Sequence, residues 1–505
     1  MDVESLDDQL RGAYPHGPDA VKGVVVVVVG EFAAQLESLS SRVAVLEAEN
    51  AALRTENAAL RARLRMDSHN SSQPPSSDGP GVRPHPKSQR TPTGRKSGGQ
   101  PGHVGHTLVV VDEPDEVVVH PPTQCHACGR SLEDVPSLRQ ERRHVVDLPP
   151  VKVRVVEHQV KTKGCPGCGA ETSGVFPDGV KAPAQYGPGI TTAAVYLNQG
   201  QLLPLERTSE VLADLFGCPI SEGTVESAVA ACHVQLAPVE AAIKHGIIAA
   251  KVAHFDETGA NLRGKLTWLH VASTRCLTFS AAHAKRGRDA MDAIGVLPPF
   301  RGRAIHDSLV SYWQYGACTH GLCNGHHLRE LTFVAEELGQ PWAQDLKDLL
   351  SEIKRAVDAA GEQGMSALPA EVKAAFGARY AAALEKGRKA NPPPQPTGRR
   401  GRPKLGKAGS LVERLREHRG ATLAFMEDFA VPFDNNQAER DLRLVKVREK
   451  ISGCFRTTTG AERFCRIRGY ISTLRKQRMP ILSALGQAII GNPPMPTTTC
   501  PSAPG

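Results

Sequence analysis

The sequence predicts a multidomain α/β protein, with a mixed strand-and-helix core late in the chain preceded by a coiled coil, a metal-stapled domain and a helical region. Three observations predict it. Apolar residues recur on a seven-residue period from Phe32 to Leu64, the signature of a helical seam that packs against another helix. Two CxxC pairs, Cys125 with Cys128 and Cys165 with Cys168, flank a stretch of strand-like alternation. Beyond Lys251, short apolar runs bounded by turn residues alternate with helical patterns, and two of them, KVAHFD and RGRAIHD, lead into acids. A chain of 505 residues exceeds what one core supports. Its formal charge of +8 suits a polyanionic partner without identifying one.

Residues 1–66 hold the seam. Leu39, Leu46, Leu53 and Leu60 occupy one position of the repeat, and Val43, Asn50, Asn57 and Leu64 the other. That arrangement favours a parallel two-stranded coil in which buried asparagines fix the register at a cost in stability. The expectation is a homodimer or higher oligomer, the competing reading being an amphipathic helix packed on its own domain. The valines from Val24 to Val29 lead into this helix. Alone they are too short to span a bilayer, and the acidic stretch before them is no export signal, so a cytoplasmic chain without a membrane partner is expected. Residues 67–107, rich in Ser, Pro, Gly and basic side chains, have almost nothing to bury and are expected to be disordered. There Arg83, Lys87, Arg90, Arg95 and Lys96 read equally as phosphate contacts or as a solvated tether.

Residues 108–180 carry the four cysteines. Two CxxC knuckles supply a closed tetrahedral Zn²⁺ site, and Gly129 and Gly169 let each knuckle turn. The other cysteines are scattered, which fits a reducing compartment better than a disulfide framework. Residues 181–246 read as helices. LERTSEVLADLFG and SEGTVESAVAACHVQL are separated by a break at Cys218 and Pro219, with Ser221 as the second helix's cap. This is a candidate helix-turn-helix, with Ser221, Glu222, Thr224 and Glu226 near the recognition face, or an ordinary helical hairpin.

The catalytic candidate is residues 247–485. Asp256 and Asp307 are expected at strand ends. Glu439 is expected in the first turn of a helix capped by Asp434 or Asn435. WLHVAST and CLTFSAAH are further strands, a helix is expected from Gly287 to Ile294, and Gly259 and Gly302 mark turns. Carboxylates brought together from separate elements hold hard cations such as Mg²⁺, and two such ions serve phosphoryl transfer. Taken singly, each acid is as well explained as a turn residue or a cap. His254 and His306 read as packing residues. His320, Cys323, His326 and His327, spaced by threes as on a helix, invite a second metal site but lack an evident fourth ligand, so a role in the fold is favoured. Helices dominate an insertion at about 331–430, broken by a proline-rich basic loop in which Arg399, Arg400, Arg402 and Lys404 are candidate DNA contacts. After Glu439, Arg440, Arg443, Lys446 and Arg456 form a further basic surface for DNA. Residues 486–505 are expected to be a flexible tail.

The segments HFDETG, WLHV, HDS, HGLCNGHHLREL, DNNQAERDLR and KISGCFRT, in that order, resemble the insertion-sequence-66 family of bacterial DDE transposases. NSSQPPSSDG and GGQPGHVG resemble that family's linker, so the likeness runs from about Asp67 to about Leu485, with the stretch between about Leu349 and Leu411 carrying no motif of the family. The resemblance implies an RNase H-like catalytic core with Asp256, Asp307 and Glu439 as its metal-binding triad, served by Mg²⁺ or Mn²⁺. It further implies a zinc-binding domain, an insertion between the second and third acids, and DNA as partner, both the element's terminal inverted repeats and target DNA. Small accessory proteins of the same element and association with the nucleoid belong to the same expectation. Two other readings stay open: a catalytically inactive, zinc-containing DNA-binding protein derived from a transposase, and a general metal-dependent nuclease.

Overall fold

The computed structural model describes residues 3–71, 108–148, 151–393 and 405–499. Most of the linker, with Arg83, Lys87, Arg90, Arg95 and Lys96, lies outside the described residues, as do Arg399, Arg400, Arg402 and Lys404 and the last six residues. The described chain is a mixture of helix and sheet. It divides into one unit of residues 1–86, 305–308 and 320–435 and a second of residues 87–304, 309–319 and 436–505.

The first unit is helical. A short α1 (Val3–Ala13) precedes α2 (Pro18–Leu64), a single 47-residue helix that takes in all six valines. Phe32, Leu36, Leu39, Val43, Leu46, Leu53, Leu60 and Leu64 along it are 47–85% exposed. By length and composition its N-terminal half is apolar enough to cross a bilayer. Glu31 and Glu37 interrupt that stretch, and a carboxylate at a bilayer's centre costs about 3 kcal/mol. Residues 67–71, assigned to the disordered linker, form an ordered turn instead. Asp67 Oδ1 accepts the backbone N–H of His69 at 2.7 Å, and Ser68, Asn70 and Ser71 are buried. The insertion is helical as expected: α8 (Asn324–Glu336), α9 (Pro341–Glu362), α10 (Ala370–Ala390) and α11 (Lys407–Glu417), then the single turns α12 (Arg419–Thr422) and α13 (Ala424–Glu427). Leu346, Leu350, Ile353, Tyr380 and Leu415 fill its interior.

In the second unit a two-stranded ribbon, β1 (Thr162–Gly164) with β2 (Glu171–Ser173), brackets the second cysteine knuckle. Four helices follow, α3 (Pro188–Val195), α4 (Leu205–Phe216), α5 (Glu222–Gln235) and α6 (Ala237–Ile248). The break between α4 and α5 falls where the sequence puts it: Gly217 ends α4 in a left-handed conformation, and Ser221 caps α5 by accepting Thr224 N–H at 3.1 Å.

The sheet runs in the order β5-β4-β3-β6-β7, with β3 (Val252–Leu262), β4 (Lys265–Ser273), β5 (Thr278–His283), β6 (Arg303–His306) and β7 (Thr319–Leu322). β3, β4 and β5 form an antiparallel meander. Its first turn is the two residues Arg263 and Gly264, with φ of 48° and 82°, the left-handed pair that a two-residue hairpin requires. β3 is therefore twice as long as the run KVAHFD suggests. Asp256 lies within the strand, and Gly259 sits opposite Trp268 in the ladder instead of marking a turn. Gly302 serves close approach: a Cβ there would lie 2.3 Å from the Ala250 carbonyl, where Arg303 N–H reaches Lys251 O at 2.8 Å. α7 (Arg288–Ile294) follows β5. The unit closes with α14 (Asn436–Ser452), α15 (Thr458–Lys476) and α16 (Ile481–Ile489). The expected flexible tail is ordered as far as the description extends. Leu485 and Ala488 are buried, and Gln477 Nε2 donates to Thr497 O at 2.7 Å.

Candidate active site and zinc-finger domain

Alternation along β3 sends His254, Asp256, Thr258 and Ala260 to one face and Phe255, Glu257 and Gly259 to the other. On the Asp256 face, Ala260, Leu269 and Val271 pack with Ala438, Leu442 and Val445 of α14. The helix that carries Glu439 in its first turn thus covers the face from which Asp256 projects. Asp256 Oδ1 accepts the N–H of Glu257 at 2.8 Å. On the opposite face the Glu257 carboxylate is buried and fully engaged. Arg286 Nε donates to it at 2.8 Å and Tyr312 OH at 2.6 Å, while the Arg286 guanidinium lies 4.9 Å from the Trp268 ring.

Asp307 directly follows β6, as the sequence predicts, and the turn after it is strained: Ser308 has φ of 77°, a cost of about 1–3 kcal/mol that surrounding structure must sustain. His306 sustains it. Its Nδ1 accepts Ser308 N–H at 3.1 Å, which leaves Nε2–H to donate to His320 Nδ1 at 3.0 Å. His320, Cys323, His326 and His327 do not share one helix. His320 is in β7, Cys323 precedes α8, and His326 and His327 lie in its first turn. His327 is buried against Asn324 Oδ1 at 3.1 Å, in keeping with a structural role. Glu330, unassigned from the sequence, pairs with Arg414. Burial pushes its carboxyl up, Arg414 pulls it down, and Asp307 is among the charges that raise it.

Two residues past Glu439, Asp441 anchors α14. It accepts Lys476 Nζ at 3.0 Å and Ser472 Oγ at 2.9 Å, and the same ammonium donates to Thr274 O and Leu277 O. Burial lowers the Lys476 ammonium, with Asp441 opposing. Among the basic residues, Arg440 and Arg443 are exposed, whereas Lys446 is turned inward to Gly259 O and to Glu449 at 3.2 Å. Arg448 stacks over Phe455 at 3.9 Å. Arg463 and Arg466 pair with Glu226 and Glu240, so part of the dense charge after Glu439 holds helices together. Arg456 is exposed.

The two cysteine knuckles are superposable in their bonding. Cys125 N–H donates to Arg130 O and Gly129 N–H to Cys125 O; Cys165 N–H donates to Ala170 O and Gly169 N–H to Cys165 O, all at 2.8 Å. Gly129 and Gly169 have φ of 73° and 75°. Backbone N–H groups directed at Cys125 and Cys165 lower both thiols, as a thiolate ligand requires. Among the described residues the four sulfurs are not gathered into one cluster. No described residue from Leu108 to Pro183 is buried, so this segment has no apolar core of its own. A donor set of four thiols on two rigid knuckles fits Zn²⁺.

Family models match along most of the chain. Residues 183–463 match the transposase IS66 family, over half of the chain. The chain belongs to the transposase IS66 family. Residues 122–169 of this transposase match the zinc-finger binding domain of transposase IS66, which supports Zn²⁺ as its metal. Residues 26–108 match a family of unknown function, DUF6444, spanning most of α2 and the linker. A search of curated proteins finds no match. The family makes this a transposase and DNA its expected partner, and it suggests a divalent metal for the chemistry.

Proposed function

We propose that the chain is a DDE transposase that cleaves DNA at the ends of an insertion sequence and joins them to target DNA, with Asp256, Asp307 and Glu439 as its metal-binding carboxylates on an RNase H-like core. The observation that carries this is that α14 covers the Asp256 face of the sheet with Glu439 in its first turn. Support comes also from the strained turn behind Asp307 and from family membership. All three donors are carboxylate oxygens, the ligands that Mg²⁺ and Mn²⁺ prefer. When bound, such ions would acidify the attacking hydroxyl and take up charge on the departing oxygen.

In the first step water attacks phosphorus at the element's end. The P–O3′ bond breaks, and a 3′-hydroxyl and a 5′-phosphate are left. In the second, that hydroxyl attacks a target phosphodiester; a new P–O3′ bond forms and the target's own 3′-oxygen leaves. Arg440, Arg443 and Arg456, with Arg399, Arg400, Arg402 and Lys404 of the proline-rich basic stretch, are assigned to holding the backbone; Lys446, expected among them, is committed to Gly259 O and Glu449 instead. Cys125, Cys128, Cys165 and Cys168 bind structural zinc. α2 pairs with a second copy through its exposed seam, which provides for two DNA ends, and α4 with α5 is retained as a candidate DNA reader. The domain plan of the sequence is proposed with two changes, the ordered residues 67–71 and 486–499, and with the catalytic domain spanning 247–485.

The test is strand transfer with Mg²⁺ or Mn²⁺ on DNA carrying the flanking inverted repeats or scrambled ends, with wild type and Glu439→Gln in parallel. Joined products that need both true ends and Glu439 are expected. End binding without joining favours the inactive DNA-binding protein, and cutting of scrambled DNA favours a nuclease.

A further inference from the structure

The hairpin tip between β3 and β4 is fastened to the loop that follows α14. Arg263 N–H donates to Phe455 O at 3.2 Å, Phe455 N–H to Asn261 O at 3.0 Å, and Asn261 N–H to Glu449 Oε1 at 2.8 Å. Phe455 is buried under the Arg448 guanidinium. This joins two segments far apart in sequence into one rigid corner. Its exposed cationic side chains are Arg263, Lys265 and Arg456, with Lys450 in the last turn of α14. The acid at the corner, Glu449, is committed to Asn261 N–H and Lys446. None of Arg263, Lys265, Arg443, Lys450 and Arg456 enters an ion pair among the described residues. Arg286, Arg463, Arg466 and Lys476 of the same unit all do. Uncompensated like charges on ordered backbone repel one another, so their juxtaposition points to an anion that is absent until the partner binds.

At 100° per residue, Arg443 and Lys450 fall on the stripe of α14 that Glu439 begins, away from the buried Ala438, Leu442 and Val445. The eleven helical steps from Glu439 to Lys450 rise about 17 Å. At about 3.4 Å of duplex axis per phosphate on one strand, that spans roughly five phosphates. We propose that Arg443, Lys450, Arg456, Arg263 and Lys265 form a phosphate-contacting track that carries the DNA backbone from the Glu439 end of α14 to the tip of the β3–β4 hairpin. The inference rests on the transposase reading and adds Arg263 and Lys265 to its DNA surface. The contact is with the backbone, so it is blind to sequence.

The experiment is binding of the full-length protein to labelled duplexes, one with the terminal repeat and one unrelated, read by fluorescence anisotropy between about 50 and 300 mM NaCl. Arg263→Asn with Lys265→Gln is the first variant, Asn being chosen because position 263 has φ of 48°. It is expected to lower the slope of log K against log salt by about two on both duplexes, and to weaken binding roughly eightfold per lost contact at about 0.1 M salt. Lys450→Gln with Arg456→Gln should do the same, and settles the matter if the hairpin variant fails to fold. Arg379→Gln with Arg388→Gln, which removes two cations paired with Glu352 and Glu385 among the helices that follow α8, controls for net charge. Slopes for both double variants equal to that control would overturn the track. A wild type whose DNA binding ignores salt would instead sink the transposase reading, before any variant is compared.

Discussion

At the residue scale, three side chains beside the proposed triad bear on the geometry of the candidate site: Glu257, Asp441 and His306. Asp441 is the clearest. Asp441 and Glu439 point about 200° apart around α14, so fastening Asp441 to Lys476 and Ser472 fixes the direction in which Glu439 faces. The pair is nearly buried, with side chains 10% and 12% exposed. Removing one charge leaves the other stranded in low dielectric. Asp441→Asn is expected to cost about 3 kcal/mol in a denaturant unfolding experiment, and adding Lys476→Met should recover most of it. A single variant within about 0.5 kcal/mol of wild type would show that the pair contributes little. Legibility differed among these residues. Asp256, Asp307 and Glu439 could be picked out because each stands in a motif. Asp441 and Lys476 could not, since their partnership exists only once α15 packs beside α14. Glu257 was hidden by its neighbour: the alternation of a strand sends adjacent acids to opposite faces, one toward the proposed chemistry and one into a buried network.

At the scale of elements, the two N-terminal modules have the least apolar burial and invite the sharpest tests. α2 leaves a row of large apolar side chains 47–85% exposed, an area that a second helix of the same repeat would cover. Replacing Leu46 and Leu53 by Asp should reduce the mass measured by light scattering to that of a monomer. An unchanged mass would place the oligomer interface elsewhere or remove it. The zinc-finger domain has no buried core, so its order depends on the metal. Stripping the metal with a strong chelator should open residues 122–169 to protease before the helices and sheet of the transposase-family region melt. Simultaneous loss would mean that the knuckles are braced by packing. These elements were legible because their signals are local: a seven-residue period, two CxxC pairs, a Ser after a Pro. The length of β3 was not, because it is set by β4 across a two-residue turn, and neither was the ordered course of residues 486–499, which depends on Tyr470 of α15 and on Gln477 just after it.

For the whole molecule, histidines held neutral by burial lower stability in acid. Burial pushes His270 down to about 4, and His233, beside Arg466 and Arg463, is likewise brought to about 4 by partial burial. His327 is held well below its ordinary value by burial. Each is neutral in the fold but binds a proton when unfolded below about 6.5. The unfolded state therefore takes up more protons between pH 6.5 and 4, and stability falls as pH is lowered through that window. His270 alone accounts for up to about 3 kcal/mol. His270→Gln should flatten the dependence of the melting temperature on pH between about 6.5 and 4. A profile as steep as wild type would assign the loss to other groups.

What the sequence determined by itself was the inventory and its order: a long helix with a heptad pattern, two knuckles, a helix pair capped at Ser221, a sheet with acids in their motifs, further helices between Asp307 and Glu439, and a basic C-terminal region. Such features follow from spacing along the chain, where a period or a capping residue acts on its own neighbours. What only the tertiary structure decided was which residues of that inventory face one another. It turned Asp256 toward α14 and Glu257 away, placed His320 and His326 in different elements, and sorted the arginines into those that tie helices and those that, among the described residues, enter no ion pair. These outcomes depend on pairing between distant segments, as when Asn261 meets Phe455, and no local period encodes that meeting.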